Sequence, residues 1–194
     1  MDNSTNDDIV TSKAKLFTVF LIDREEYAAS VDNVVEIVEN LPITPVPKSR
    51  DFVLGIINLR GKIIPIVDLE KRFGLVHEFE TSFKHILIVE VSKTLFAVRV
   101  EEVKEVIKLS DEDIQPVSSA VADKISGDYL TGVFVQKQGE KNEEIKEKVH
   151  NERVILILDF QKIFSADDLQ NSINTVDIDT AKTEGGAMNE NANS

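Results

Sequence analysis

The chain has 194 residues, with 35 Asp and Glu against 22 Lys and Arg, a formal net charge of -13 and 42% hydrophobic residues. A field of that sign repels phosphate backbones and anionic lipid heads, and the apolar runs fall short of the roughly 20 residues a membrane span needs, so neither nucleic acid nor direct membrane insertion is expected. There is no cysteine, which removes disulfides, zinc–thiolate sites and thiol catalysis together, and the acidic start MDNSTNDDIVTSKAK lacks the basic and apolar regions of a signal peptide, so a cytosolic protein is expected.

Residues 1–13, rich in Asp, Asn, Ser and Thr, read as a disordered N-terminal tail. A β-branched run, LFTVFLID, is followed by a polar turn, the aromatic Tyr27, the octet VDNVVEIV from Val31, the pair Pro45-Val46, FVLGII from Phe52 and KIIPIVDLEKRF from Lys62. The same series then returns as HILIVEV, Phe96, VEEVKEVI from Val100, Pro116-Val117, YLTGVF from Tyr129 and RVILILDFQKIF from Arg153. Val31, Val34 and Glu36 correspond to Val100, Val103 and Glu105, Gly55 to Gly132, Asp68 to Asp159 and Phe73 to Phe164. Two divergent copies of one unit account for this order. Each copy holds about five short β-branched runs punctuated by Gly, Pro or Asp, the pattern of small barrels or sandwiches. Units of about 60 to 70 residues are marginal alone, so the two should pack together.

Helix is scarce. LEKRFG after Asp68 reads as a short helical closure, and so does the segment from Asp159 through SADDLQNSI, with Ser165 as N-cap of a short helix near 165–173. The charged insertion 138–152 reads as a solvated loop in place of the tight Arg60-Gly61 turn, and 174–194 as a disordered acidic C-terminal tail.

Recognisable chemistry is missing. GIINLRGKIIPIVDLEKRFGL, residues 55–75, has five residues between its glycines, Ile63 after Lys62, and strand rather than helix beyond. A phosphate loop fails on each count. His77, His85 and His150 are isolated and read as solvent-facing or loop residues, His77 in the polar linker between the copies and His85 at the start of a strand, and the acidic clusters as caps and solvated faces. Asp68 and Asp159, each at the end of an apolar strand, most simply cap the next turn or helix. No nucleophile elbow or triad stands out, so neither enzymatic activity nor a cofactor or metal is expected.

Residues 55–75 read instead as a hairpin turning at Arg60-Gly61. Alternation places Ile57 and Leu59 on one face, Asn58 and Arg60 on the other. Pro65 cannot donate to a ladder, so its strand is expected at an edge or with a bulge there. An exposed edge beside a fixed arginine serves protein recognition as readily as it forms a solvated turn, and physics leaves the two open.

The stretch closely resembles the signature of the CheW family of chemotaxis coupling proteins: a small-residue turn, an Asn-Leu-Arg-Gly hairpin and a Pro-Ile/Val-Asp-Leu strand, with VDNVVEI upstream similar to the family's Val-x-x-Val-x-Glu-Ile element. The resemblance implies a mainly β fold of two intertwined five-stranded SH3-like barrels over residues 14–172, the pseudo-repeats falling at about 14–78 and 83–165 with chain exchange between barrels allowed. It implies an adaptor linking the histidine kinase CheA, through its CheW-like regulatory domain, to the cytoplasmic tips of methyl-accepting chemoreceptors at arrays on the inner face of the membrane. The family's partner-binding positions fall on Val34, Glu36, Gly55, Asn58 and Arg60, with Gly61 completing the turn, and Glu36 and Arg60 are implied to form a charge pair. Gly55 would admit a neighbouring backbone where any Cβ would intrude.

This chain departs from the pattern in its insertion, its acidic tail and its second copy, where Val135-Gln136-Lys137 stands for Asn58-Leu59-Arg60. Functional positions therefore transfer to the first copy only. About 30 residues come after Phe164, too few for a phosphorylatable receiver domain, so a CheV-type fusion is not expected. The rival readings are a CheW-like adaptor of a pilus, gliding or gene-regulatory system and, from another class, a small-ligand-binding or catalytic β-barrel.

Overall fold

The structure is a computed structural model that describes residues 14–75, 82–122, 125–137 and 152–164. Both tails, the helix expected near 165–173, nearly all of the insertion 138–152, His77 and His150 lie outside the described residues. The first copy forms β1 (Lys15–Ile22), β2 (Glu25–Ser30), β3 (Val34–Glu39), β4 (Val53–Leu59), β5 (Lys62–Val67) and α1 (Leu69–Phe73). The second forms β6 (His85–Val91), β7 (Thr94–Val100), β8 (Glu102–Leu109), α2 (Ser119–Ala122), β9 (Leu130–Lys137), β10 (Glu152–Leu158) and α3 (Phe160–Ile163). The turns Asp23-Arg24, Arg60-Gly61 and Ser92-Lys93 each place two successive residues at positive φ. Type I′ turns require this, and their twist matches that of the strands they join.

The strands fall into two five-stranded sheets, ordered β8-β1-β2-β10-β9 and β3-β6-β7-β5-β4. Neither sheet is the product of one copy. Each takes the first two strands of one copy and the last three of the other, so the copies interlock reciprocally. β2 with β10 and β5 with β7 are parallel pairs; the remaining ladders are antiparallel.

Two short bridges bring the sheet edges round toward closure. Thr44, beyond β3, exchanges both backbone hydrogen bonds with Ile56 of β4 at 2.9 Å, and Gln115, beyond β8, does the same with Val133 of β9 at 2.8 and 2.9 Å. Bulges recur in register: the pairing skips Val35 in β3 and Lys104 in β8, Leu54 in β4 and Thr131 in β9. Each bends its strand and increases the local twist, which curls a sheet.

β5 is an interior strand without a bulge at Pro65, contrary to the sequence expectation. Its parallel ladder with β7 holds only Ile66 and Val67, so Pro65 lies just outside it. Opposite Pro65 stands Ile56, whose own N–H and C=O turn to Thr44. No ladder bond is lost at the proline.

Burial matches the alternation on both faces. In β6, Ile86 and Ile88 join Ile57, Ile64, Ile66 and Ala97 inside one barrel, while Leu87, Val89 and Val91 face a core shared by both sheets. In β10, Ile155 and Ile157 fill the other barrel and Leu156 and Leu158 face the shared core. Covering both faces explains why these strands read as continuous apolar runs. Asp68 and Asp159 cap α1 and α3, accepting from Lys71 N at 3.1 Å and Gln161 N at 3.0 Å.

Candidate protein-interaction site

The β4–β5 turn is built by local chemistry. Arg60 and Gly61 have φ of 54° and 84°, and Gly61 N donates to Asn58 Oδ1 at 2.8 Å. Asparagine thereby replaces a main-chain acceptor and fixes the turn from its exposed side. Ile57 is buried and Leu59 packs against the barrel interior, while Asn58 and Arg60 are exposed.

Arg60 Nη2 donates to Glu36 Oε1 at 2.6 Å; the Arg60 side chain is 77% exposed and that of Glu36 28%. Glu36 lies on β3 and Arg60 directly follows β4, and these strands are the two edges of one sheet. The charge pair is thus a second tie across the closure made by Thr44 and Ile56. It engages one nitrogen of a guanidinium that carries five donor hydrogens, so most of the fork faces solvent in a set orientation.

Gly55 and Val34 sit differently. A Cβ on Gly55, at φ 144°, would lie 2.2 Å from Thr44 O, and one on Gly132 would lie 2.4 Å from Ile114 Cγ2 and 2.7 Å from Gln115 O. The backbone that needs this glycine is the chain's own closing segment. Val34, half-buried, packs on the shared core after the 3-10 turn Val31–Asn33. Of the six residues, Glu36, Asn58, Arg60 and Gly61 gather at the turn; Gly55 lies against the closing segment at Thr44, and Val34 packs on the shared core away from the turn's own cluster. The sequence reading did not single out Val35, Ile37 and Ile63, three exposed apolar residues on β3 and β5. For Val35 and Ile37 the signal was an apolar run continuing through what is an edge strand; for Ile63 it was an apolar residue next to the turn, at the start of an interior strand.

Residues 16–168 match the family described as CheW-like domain. The chain belongs to this family. It is 30% identical over 151 residues to chemotaxis protein CheW of Helicobacter pylori, covering 78% of this chain and 82% of that one. It is 38% identical over 110 residues to chemotaxis protein CheW of Thermotoga maritima, covering 56% and 72%. Among solved structures it is similar to the scaffolding protein TtCheW from Thermoanaerobacter tengcongensis, with a TM-score of 0.63, 29% identity, and coverage of 80% of this chain and 91% of that one.

Within this CheW-like chain the two copies treat the same glutamate differently. Glu105, which aligns with Glu36, bonds Arg153 Nη1 at 2.7 Å, and Arg153 aligns with Lys62 rather than with the turn arginine. Arg153 Nε also donates to Glu26, whose second oxygen accepts from Lys104 at 2.8 Å. Burial alone would raise the Glu26 pKa, but hydrogen bonds and charge from Lys104 and Arg153 outweigh it and hold the carboxyl below its usual range. Burial alone would lower that of Arg153, and Glu26 and Glu105 reverse the effect. Arg153 is locked among carboxylates at 20% exposure, whereas Arg60 is presented.

Strand and helix arginines make two further ties between the copies that carry no motif. Arg99 Nη2 donates to the buried Asp68 at 2.8 Å, and Arg72 donates from Nε and Nη2 to Ile163 O at 3.2 and 3.0 Å. His85 starts a strand, β6, as expected, but is half-buried rather than solvent-facing, with Nδ1 buried and without a hydrogen-bond partner among the described residues. Among those residues no helix is long and apolar enough to cross a membrane.

Proposed function

We propose that this chain is a chemotaxis adaptor that couples methyl-accepting chemoreceptors to the histidine kinase CheA, with the surface around the β4–β5 turn as a contact. The observation that carries the reading is Arg60, held by Glu36 on a closed turn in the one copy that retains Asn-Leu-Arg-Gly. Relatives named chemotaxis protein CheW and a likeness to a scaffolding protein support it. The role is binding rather than catalysis. The CheA regulatory domain and the receptor tip would each bias the other's conformation through the adaptor, which is allosteric coupling between two sites. The working location is the cytoplasm, at receptor arrays on the inner face of the membrane.

The test is Arg60→Asp, assayed against a CheA regulatory domain and a receptor-tip fragment. Because an exposed pair is worth about 0 to 1 kcal/mol, the fold should survive. Affinity for at least one partner should fall tenfold or more, which is about 1.4 kcal/mol. Parental affinity for both partners would remove the turn from the interface.

A further inference from the structure

Among the described residues, neither half of the chain pairs more than two of its own strands in one sheet. Within residues 14–75 the paired strands are β1 with β2 and β4 with β5, and these two hairpins lie in different sheets. β3 has a single ladder, to β6 of the other half. Residues 82–164 repeat the situation: β6–β7 and β9–β10 are hairpins in different sheets, and the one ladder of β8 is to β1. Isolated hairpins are marginal in water, so a half gains stability only when it meets its complement. One connection, between Leu75 and Ser82, joins the two halves in sequence.

Everything else between them is non-covalent: the ladders β1–β8, β2–β10, β3–β6 and β5–β7, the shared core, and the ties Arg153–Glu26, Arg99–Asp68 and Arg72–Ile163. None of these distinguishes a complement on the same chain from one on another. We propose that a second copy of this chain is a partner taken by exchange of halves, residues 14–75 of one copy assembling with 82–164 of the other and the reverse. The product is a closed two-fold dimer that keeps every one of those contacts and carries two β4–β5 turns. Such exchange is a low-cost route to dimers because the contacts are already native. It stands independently of the chemotaxis reading, since it rests on strand order alone.

A short connector gives closure on the same chain an effective concentration in the millimolar range, so the monomer dominates dilute solution. The exchanged dimer forms when the chain folds at about 1 mM, or when the connector cannot span the closed form. The test refolds the full chain from urea at about 1 µM and about 1 mM, and separately folds a variant lacking residues 77–80. Native mass spectrometry should show monomer at the low concentration, dimer at the high one, and dimer for the shortened variant, with parental circular dichroism in all three. Isotope-labelled and unlabelled dimers should form mixed species only when unfolded and refolded together. Monomer alone from the parent at both concentrations would overturn the proposal, as would dimers that mix within minutes in native buffer.

Discussion

Gly55 and Gly61 belong to the same signature stretch and are glycine for different reasons. Gly61 has a positive φ but open space where a Cβ would go, so Gly61→Ala meets only backbone strain of about 1 kcal/mol. Gly55 combines its φ with a Cβ position 2.2 Å from the Thr44 carbonyl oxygen, which is backbone and cannot swing aside. Gly55→Ala should therefore cost about 3 kcal/mol or more, the overpacking and strain contributions together. Urea unfolding of the two variants measures the difference, and equal losses would contradict the internal role of Gly55. The arginines offer a second contrast. Arg153→Met leaves Glu26 and Glu105 without their common partner and should cost about 2 to 3 kcal/mol at neutral pH, at the low end for a pair that is not fully buried. Glu26 has a folded pKa below its ordinary 4.5, so its contribution is fully present above that pH and is lost as pH falls through the folded value. The stability gap between parent and variant should therefore narrow on acidification from pH 6 to pH 3. A gap independent of pH would mean that these carboxylates are not what Arg153 serves.

The paired elements of the two copies show what the sequence made legible and what it did not. The strands and both aspartate caps were legible because alternation, β-branching and the Asp at each strand end are local signals. The duplication was legible because it repeats them in order. Intertwined five-stranded barrels came only with the family resemblance, and which strand joins which sheet was not legible in the residues, because a ladder is a long-range relation and the boundary between copies is not a boundary between sheets. The inference from Pro65 to an edge or bulge failed on that point: the proline sits beyond a short parallel ladder that no local pattern announces. Arg99 and Arg153 were invisible for a related reason, since a single basic residue in a strand carries no spacing to read. Asp68 and Asp159 make the hidden difference measurable. Asparagine caps a helix about as well as aspartate, so Asp→Asn removes charge and spares the cap. Asp68→Asn breaks the charge pair with Arg99 and should cost about 2 to 3 kcal/mol, discounted for the partial exposure of Arg99. Asp159→Asn loses only an exposed contact to Lys162 and should stay within about 0.5 kcal/mol. Thermal melts of the pair read both values, and equal shifts would deny Arg99 its role.

At the scale of the whole molecule, duplication with exchange has a thermodynamic consequence. Two barrels built from separate copies would each own a core and could unfold in turn. Here each sheet contains strands of both copies, and the largest cluster draws on β1, β2, β5 to β7, β9, β10, α1 and α3. Removing either copy takes at least two strands from each sheet and opens that cluster to water. Neither copy therefore has a folded state of its own, and the loss of either barrel exposes the shared cluster on the other. Equilibrium unfolding should be a single transition with equal calorimetric and van't Hoff enthalpies, the signature of an all-or-none process. Phe96→Ala in the second copy and Tyr27→Ala in the first both cut the shared cluster, and each should lower that one transition by about 3 to 5 kcal/mol. If instead the calorimetric trace splits, and each substitution moves a different peak, the barrels are independent folding units and the shared core is only an interface.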